Sequence, residues 1–300
     1  MCYKRRSVYH ARMGIGHHAG IEKLLREIRR HYRAHGRSHL PWRATTEPYR
    51  ILVSEIMLQQ TQVERVVPFY AKFLKIFPTA RVLSKAKLSR VLSVWQGLGY
   101  NRRAKYLHEA AKAIARRGSF PRRAEDIEAL PGVGHYTARA VAAFAFDSPE
   151  VFIETNIRTA FLHRFHKGPS FMGERTVLDS ELLPLVAEAL ERSKMPPREF
   201  YAALMDYGSY LKRSGVKLNQ KSAHYAKQSH FVGSARQLRG AILRELLKKP
   251  STIKELSISI ARAMKMKRSQ TQKTQISREL MRLVKEKLIT KKGIRFYISE

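Results

Sequence analysis

Glu55 is the residue of this chain whose surroundings most favour acid catalysis. It lies inside a predicted helix, among apolar residues that share one helical face: Ile51, Leu52, Ile56, Met57 and Val63. A carboxylate in such surroundings is either paired or has its pKa raised by the loss of water. A raised pKa suits a general acid that works near neutral pH. The same side chain could instead bridge to an arginine and be structural, and the residues alone leave both interpretations open.

A glycine turn lies between two predicted helices in the middle of the chain. Gly132 and Gly134 bracket Val133, and an apolar helix starts directly after them. Glycine allows a positive φ, and the unpaired N–H groups at the start of a helix can hold a phosphate. Taken alone, the two glycines are also typical of a helical hairpin with a glycine cap.

A second glycine turn, Gly97-Leu98-Gly99-Tyr100, precedes a predicted helix that begins with Arg102 and Arg103. Leu98 and Tyr100 could form a wedge that opens a stack of bases. They could also pack over the turn as ordinary apolar side chains.

The charge of the chain points to a polyanionic partner. Its 58 Lys and Arg residues against 24 Asp and Glu residues give a formal charge of +34 and a pI near 10.7. We therefore expect nucleic acid, and no membrane, since no run of ~18 apolar residues occurs. Arg43 could stack on a base or contact a phosphate, whereas its neighbour Trp42 is expected in the core. A polar cluster that could pair with base edges follows Glu55 and comprises Gln59, Gln60, Thr61 and Gln62.

Length and cysteine content set further limits. Three hundred residues, 44% of them hydrophobic, are enough for about two domains of ~100–200 residues each. The only cysteine is Cys2, so the chain has neither an internal disulfide nor a cysteine-ligated metal cluster. Residues 1–20 are basic and lack the apolar segment of a secretory signal. We expect a loose N-terminal arm on a cytoplasmic protein.

Helical periodicity dominates the rest of the sequence and predicts a mainly α fold. The first amphipathic helix is predicted from Ile21 to His35, and a first large domain extends to residue 228. Residues 233–300 are predicted to form a winged-helix-like module of three helices and a hairpin around Gly293. Its basic third helix could contact DNA phosphates or be a solvated face that packs on the first domain. Asp206 is expected to cap a helix or to pair with an arginine.

Three motifs occur in the order seen in A/G-specific adenine DNA glycosylases: Ser54-Glu55-Ile56-Met57-Leu58-Gln59-Gln60-Thr61-Gln62-Val63, Gly97-Leu98-Gly99-Tyr100 and Leu130-Pro131-Gly132-Val133-Gly134. From about Ile21 to about Gln228 the chain resembles these enzymes of the helix-hairpin-helix, endonuclease III-like superfamily. The resemblance implies a two-lobed helix-hairpin-helix glycosylase fold that acts in base excision repair. It also implies a nucleoid-associated monomer that binds double-stranded DNA with a mismatched or damaged base, through Arg43, the polar cluster and both glycine turns.

The resemblance assigns roles to four residues. Glu55 matches the acid that protonates a flipped adenine, and Glu154 occupies the position of the family's catalytic aspartate, which stabilises positive charge on the sugar. Asn156 matches the polar residue beside that carboxylate. Tyr136 stands where bifunctional members carry a lysine, and without an amine no Schiff base forms with the opened sugar. We therefore expect hydrolysis of the N-glycosidic bond without strand cleavage.

The chain departs from the family pattern at four places. Glu154 is one methylene longer than the family's aspartate. The iron–sulfur cysteines of the family fall on Lys212, Asn219, Ser222 and Gln228, so we expect no cofactor. Ala202 stands where the family often has a Glu or Gln that helps to hold the adenine, and Tyr136 is also compatible with thymine-removing relatives. Two alternatives stay open: a thymine or uracil mismatch glycosylase, and a non-catalytic DNA-binding protein on a glycosylase scaffold.

Overall fold

Helices dominate the computed structural model, which describes residues 15–165, 176–223, 225, 230–231, 233–264 and 270–300. Most of the predicted basic arm, and Gln228, lie outside these residues. The helices are α1 (Ile15–His35), α2 (Pro48–Leu58), α3 (Val63–Ile76), α4 (Ala80–Lys85), α5 (Leu88–Trp95), α6 (Arg102–Arg117), α7 (Ala124–Glu128), α8 (His135–Phe146), α9 (Thr155–Phe165), α10 (Asp179–Ser193), α11 (Pro197–Arg213), α12 (Ala235–Lys248), α13 (Ile253–Ala263) and α14 (Gln270–Lys285). The strands are β1 (Ser251–Thr252), β2 (Ile289–Lys292) and β3 (Arg295–Ile298). No helix in the described part of the chain is long and apolar enough to cross a membrane.

The first of two compact units comprises Met1–Ile51, Arg122–Ile127 and Gly134–Lys227. Within it, α1 packs against α9, α10 and α11 and buries its predicted apolar stripe of Ile21, Leu24, Leu25 and Ile28. The helix begins at Ile15 rather than at the predicted Ile21. Tertiary contacts stabilise this earlier start, because Gly20 lies against the Phe165 ring and His18 bonds to Glu188.

Helices α9 and α11 of the first unit approach each other so closely that one position requires glycine. A Cβ atom on Gly208 of α11 would lie 2.0 Å from the carbonyl oxygen of Asn156 on α9. Beside this contact, Tyr201 of α11 stacks on Phe152 with ring centroids 3.8 Å apart. The Tyr201 hydroxyl donates to the Glu150 carbonyl at 2.7 Å. Helix α11 therefore fixes the extended segment that leads into α9.

The second unit comprises Leu52–Pro121, Glu128–Val133 and Gln228–Glu300. Its core includes Phe73 of α3 and Trp95 of α5, whose rings meet edge to face with centroids 5.8 Å apart. Local signals set several helix ends. The Thr79 hydroxyl caps α4 by accepting from Val82 N, and Gly118 ends α6 with φ +82° as the sequence predicts.

Residues 233–300 contain the elements that the sequence predicts. Helix α13 starts with a reciprocal capping box between Thr252 and Glu255, and Gly293, with φ +58°, lies in the turn between β2 and β3. The three strands form an antiparallel sheet in the order β1-β3-β2. These residues belong to the second unit, and their assignment as a winged-helix-like module stays a prediction.

Candidate functional site

The Glu154 carboxylate accepts hydrogen bonds from the start of helix α9. Its Oε1 accepts from the backbone N–H groups of Asn156 and Ile157 at 2.8 and 2.9 Å. Its Oε2 accepts from Asn156 Nδ2 at 3.2 Å, and its carbonyl oxygen accepts the first helical hydrogen bond from Arg158. Glu154 is therefore the N-cap of α9, where the helix dipole favours negative charge.

Two effects oppose each other at the carboxyl of Glu154. Burial raises its pKa above the usual value for glutamate, while the two backbone hydrogen bonds and the positive charges of Lys212 and Arg158 lower it. Burial dominates, so the pKa lies above the usual range. The donors fix the orientation of the group, and burial makes its negative charge costly.

Asn156 joins Glu154 to the end of helix α11. While its amide nitrogen donates to Glu154, its Oδ1 accepts from Lys212 Nζ at 3.1 Å. The nearby Arg158 is committed elsewhere, because it makes a two-pronged contact with Asp179 at 2.6 and 2.7 Å. Lys212 is thus a cation beside the Glu154 site that the sequence did not single out for this role. Its partner lies far away in sequence, which left no local signal.

Tyr136 lies in the first turn of α8, and its ring meets Phe152 edge to face with centroids 5.7 Å apart. Phe152 in turn stacks on Tyr201, so an aromatic column leads to the segment before Glu154. Ala202, on α11, is 3% exposed. The described geometry gives Tyr136 a packing role near Glu154, and its predicted catalytic role stays a prediction.

The turn at Gly132 is a tight connection that only glycine can make. Gly132 has φ +73°, and a Cβ atom there would lie 2.3 Å from Tyr106 Cβ. Val133 N donates to the Leu130 carbonyl at 3.1 Å, and the Val133 side chain is 6% exposed. Gly134 is the N-cap of α8 and has no side chain that could cap it, and a Cβ atom there would meet open space. The helix start is thus open to an anion at Gly134, as the phosphate hypothesis requires.

Glu55 belongs to α2, where its side chain is 6% exposed, between the buried residues Leu52 and Ile56. The last turn of the same helix is tied to Arg103. Arg103 Nη1 donates to the carbonyl oxygens of Ile56, Met57 and Gln59 at 3.0, 2.8 and 2.5 Å. Burial lowers the pKa of Arg103 to about 10, so its side chain remains charged at neutral pH.

Arg103 also holds the second glycine turn. Its Nη2 donates to the Gly99 carbonyl at 3.2 Å, and Trp95 Nε1 donates to the same oxygen at 3.0 Å. Gly97 and Gly99 have φ values of +102° and +81°, and Tyr100 also has a positive φ of +48°. Leu98 is 4% exposed and packs into the second unit, whereas Tyr100 is half-buried. Leu98 therefore packs over the turn as an ordinary apolar side chain. The hypothesis of a wedge that opens a stack of bases rests on Tyr100.

The structure brings several predicted DNA-binding residues to one cleft of the second unit. Its lining includes Gln60, Thr61, Leu98, Gly99 and Tyr100. Gln59 lies beside it in the chain and gives its carbonyl to Arg103. The polar cluster forms the turn between α2 and α3, where Gln60 has φ +53°.

Arg43 lies in the first unit and contacts a buried carboxylate. Its guanidinium approaches Asp206 at 3.5 Å and lies 5.6 Å from the centre of the Phe144 ring. The main partner of Asp206 is Arg37, whose Nη2 lies at 2.7 Å. The predicted arginine partner of Asp206 is confirmed, and Trp42, 7% exposed, is a core residue as expected. The role of Arg43 in DNA binding stays a prediction.

The described residues at the positions where the resemblance implies iron–sulfur ligands do not fit such a cluster. Lys212 bonds to Asn156, Asn219 Nδ2 donates to Thr159 Oγ1 at 2.5 Å, and Ser222 forms a parallel β-bridge with Val177. These side chains lack the thiolates that ligate such clusters. Among the described residues, no group of three His, Cys, Asp or Glu side chains is placed to hold a metal ion. Amide, hydroxyl and backbone groups fasten this loop.

Comparison with known proteins assigns the chain to a class. A sequence profile of the HhH-GPD superfamily of base excision DNA repair proteins matches residues 53–286. The chain is 36% identical over 227 residues to the adenine DNA glycosylase of Mycolicibacterium smegmatis (strain ATCC 700084 / mc(2)155). The matched residues make up 70% of this chain and 75% of that relative. It is 40% identical over 136 residues to the adenine DNA glycosylase of Buchnera aphidicola subsp. Baizongia pistaciae (strain Bp). The matched residues make up 45% of this chain and 39% of that relative. A solved structure of a thermostable thymine-DNA glycosylase matches with a TM-score of 0.56 and 25% identity, over 69% of this chain and 97% of that chain.

These matches and the helical fold identify the class of the chain as that of the HhH-GPD base excision DNA repair proteins. The chain belongs to the HhH-GPD superfamily of base excision DNA repair proteins. The predicted mainly α fold and the resemblance to adenine DNA glycosylases are confirmed. The chain spans between 39% and 75% of the length of these two curated relatives.

Proposed function

We propose that the chain is a DNA glycosylase that hydrolyses the N-glycosidic bond of a flipped, mispaired adenine opposite G or 8-oxoguanine. The observation that carries the proposal is Glu154, whose carboxylate is oriented by the start of α9 and lies in surroundings that favour an approaching cation. As the bond between sugar and base breaks, positive charge grows on the deoxyribose and Glu154 stabilises it. Asn156 orients the carboxylate through its amide.

Glu55 supplies the proton in this proposal. The electron pair of the breaking bond goes to the base, so a proton from Glu55 lets adenine leave as a neutral molecule. Water then adds to the sugar carbon and gives its excess proton to the Glu55 carboxylate, which restores the acid and completes the hydrolysis. Burial at 6% exposure suits a proton donor. Tyr136 cannot form a Schiff base, so we propose base release without strand cleavage.

The DNA contacts in this proposal come from the two glycine turns and the polar cluster. The open start of α8 at Gly134 suits a phosphate, and Tyr100 with Gln60 and Thr61 suits unstacked bases. The formal charge of +34 supports binding to the duplex as a whole, and the basic α14 adds to it if residues 233–300 act as a winged helix. We further propose that the protein acts as a monomer associated with the nucleoid.

A thymine or uracil mismatch glycosylase is the second candidate. Ala202 removes one hydrogen-bonding group where adenine glycosylases often have Glu or Gln, and the chain is similar in structure to a thymine-DNA glycosylase. Both candidates use the same two carboxylates and differ in the base that is released.

An alkali assay tests the proposal. Duplexes with A opposite G, A opposite 8-oxoguanine and T opposite G are incubated with the protein and then treated with alkali. We expect cleavage at adenine only after alkali. Cleavage at thymine instead would support the second candidate. No cleavage in any duplex, with tight and salt-sensitive binding, would identify a non-catalytic DNA-binding protein.

A substitution links the assay to Glu55. Glu55→Gln keeps the shape of the side chain but removes the proton, so base release is lost while affinity for the duplex stays nearly unchanged. Normal turnover in this variant would exclude Glu55 from the mechanism.

A further inference from the structure

The second unit has another cleft, which lies between helix α6 and the segment that leads from the end of α14 into β2. Its volume is about 520 Å³, within the usual range of sites for small molecules. Among the described residues, its lining shares no member with the cleft that contains Tyr100. It is therefore separate from the proposed contacts with unstacked bases.

The lining of this cleft carries more positive than negative charge. It includes four lysines and two glutamates, which are Lys105, Lys112, Lys287, Lys291, Glu109 and Glu300. Lys105 Nζ lies 3.2 Å from Glu109 Oε1 and donates to the Glu286 carbonyl at 2.9 Å, which ties α6 to the end of α14. Three lysines and one glutamate remain, so the cleft favours an anion.

Two hydroxyl groups in the lining add a further donor. Thr290 of β2 and Ser299 both line the cleft, and their hydroxyl oxygens lie 3.0 Å apart. One hydroxyl donates to the other, which leaves one hydroxyl proton for another acceptor. Ammonium and hydroxyl groups both donate to the oxygens of phosphate groups.

His108 of α6 sets a second requirement, because its Nε2 is enclosed without a partner. The residue lines the cleft and is 3% exposed, and Nε2 has no hydrogen-bond partner within the described part of the chain. Burial, together with the charge of Lys112, lowers the pKa of His108, so the ring is uncharged at neutral pH. Hydrogen bonds to the backbone of Ala86 and Ser84 raise the pKa, as bonds that a ring N–H donates do. These bonds belong to Nδ1, which leaves Nε2 as an acceptor.

A ligand that satisfies this cleft must accept from lysines and hydroxyls and must also donate to His108. An enclosed acceptor without a donor is costly, so the second condition matters as much as the first. Carboxylates and the internal phosphates of DNA have only acceptor oxygens at neutral pH. A terminal phosphate group meets both conditions, because its second pKa of about 6 lets it keep a P–OH proton beside its negative charge.

We propose that this cleft binds a terminal phosphate group, carried by a free small molecule or by the end of a DNA strand. The P–OH group donates to His108 Nε2, and the other oxygens accept from Lys112, Lys291 and the hydroxyl pair of Thr290 and Ser299. The inference does not rest on the proposed function, since it uses neither of the two proposed catalytic carboxylates.

The first test compares methyl phosphate with methyl sulfate, which have the same shape. Only the phosphate has a proton to donate at a pH of about 6, near its second pKa. Binding of each to the full chain is measured by isothermal titration calorimetry. We expect methyl sulfate to bind about tenfold more weakly, which is the effect of one hydrogen bond. Equal affinities would overturn the inference.

His108→Asn isolates the contribution of the proton. The amide nitrogen of asparagine can still donate to the backbone at Ala86 and Ser84, whereas the acceptor at the position of Nε2 is lost. The variant should bind methyl phosphate about tenfold more weakly than the wild type and methyl sulfate equally well. An unchanged preference for phosphate would overturn the inference. Thermal unfolding shows whether the variant is folded, and the other comparisons decide the question if it is not.

Lys291 and Lys292 form a matched pair that separates the cleft from general charge. Both are exposed on β2, and their side chains point to opposite faces of the strand. Lys291 lines the cleft and Lys292 does not. Lys291→Gln should weaken binding of methyl phosphate several-fold, and Lys292→Gln should leave it unchanged. Equal effects of the two substitutions would overturn the inference.

Two further comparisons identify the source of the phosphate group. Binding of thymidine 5′-monophosphate is compared with that of thymidine, and a labelled duplex with 5′-phosphate ends is compared with the same duplex with 5′-hydroxyl ends. A preference in the first pair indicates a free nucleotide, and one in the second pair indicates a strand end. The absence of both preferences would overturn the inference.

Displacement of methyl phosphate by polyglutamate as effectively as by inorganic phosphate would also overturn the inference and would indicate an acidic protein partner. The alkali assay on the wild type is independent of all these measurements. Base release without a preference for phosphate would reject only the phosphate site. A preference for phosphate without base release would reject only the proposed function.

Discussion

Asp206 and Glu154, two carboxylates of the first unit, are held in opposite ways. Asp206 is 2% exposed and is bound by guanidinium groups, with Arg37 Nε at 2.8 Å, Arg37 Nη2 at 2.7 Å and Arg43 at 3.5 Å. Glu154 is bound by neutral donors, which are two backbone N–H groups and one side-chain amide. The charge of Asp206 is therefore satisfied inside the protein, and its role is structural.

In the proposed mechanism, this difference leaves the Glu154 carboxylate ready for an external cation. Neutral donors orient the Glu154 carboxylate but leave most of its charge to interact with something else. A salt bridge would have oriented it too, at the cost of that interaction. The variants below test whether the two carboxylates differ as this comparison requires.

The largest effect on stability is expected for Asp206→Asn. The substitution leaves Arg37 and Arg43 without their buried carboxylate, and breaking such a pair costs about 3–5 kcal/mol. Chemical denaturation measures the change in free energy of unfolding. Glu22→Gln, which breaks a half-exposed contact with Arg192 at 3.4 Å, is the matched control and should cost less than about 1 kcal/mol. Equal losses of unfolding free energy in the two variants would show that the buried ion pairs of Asp206 contribute no more than a half-exposed one.

The largest effect on activity is expected for Glu154→Gln. An amide oxygen can still accept from the start of α9, so the free energy of unfolding should change by less than about 1 kcal/mol. The charge is lost, and single-turnover base release should fall about 10²–10³-fold. Glu154→Asp keeps charge and cap and serves as the control. A fully active Glu154→Gln variant would contradict the comparison.

A smaller effect is expected at the contact that supports Asn156. Gly208→Ala places a methyl group against the Asn156 carbonyl and should cost about 1–3 kcal/mol by overpacking. Base release should also fall, because Asn156 orients Glu154. Gly240→Ala on α12 meets no atom within 4 Å and should be neutral or stabilising by roughly 0.5–1 kcal/mol. If both variants unfold alike, the close approach of α9 and α11 does not constrain the site.

The smallest effect is a pH dependence of stability. Because burial raises the folded-state pKa of Glu154, its contribution to stability is present below the unfolded-state pKa and is lost as pH rises through the folded-state value. Relative to Glu154→Gln, the wild type should therefore gain stability as pH falls through this window. Base release needs the ionised form and should decline on the acid side at a higher pH than for an ordinary glutamate. A difference in unfolding free energy that does not vary with pH would show that Glu154 titrates normally.

Local patterns in the sequence predict much of the fold. The stripe of Ile21, Leu24 and Ile28 predicts a buried helical face, and the Thr252 cap and the Gly118 stop lie where side-chain chemistry requires them. The prediction that α1 starts at Ile21 is wrong: the basic residues before it resemble a loose arm, while the contacts of Gly20 with Phe165 and of His18 with Glu188 stabilise a helix from Ile15.

Only the residues of the candidate site that belong to a sequence motif, or that the resemblance assigns, could be predicted from the sequence. Glu55 and the glycine turns carry local signals, and the resemblance assigns Glu154 and Asn156. The supporting contacts join residues that are distant in sequence: Arg103 bonds to Ile56, and Lys212 and Gly208 both contact Asn156. Nothing in the neighbourhood of these three residues shows which partner the fold will bring to them.

Arg103 makes the Gly99 turn and the last turn of α2 a single stiff piece, since one guanidinium bonds to carbonyl oxygens in both. A molecule that binds against Tyr100 would therefore contact a turn that is fixed to the helix carrying Glu55, and not a flexible loop. In the proposed mechanism, the helix that carries Glu55 is therefore in place before any ligand arrives, and no binding energy is needed to assemble it.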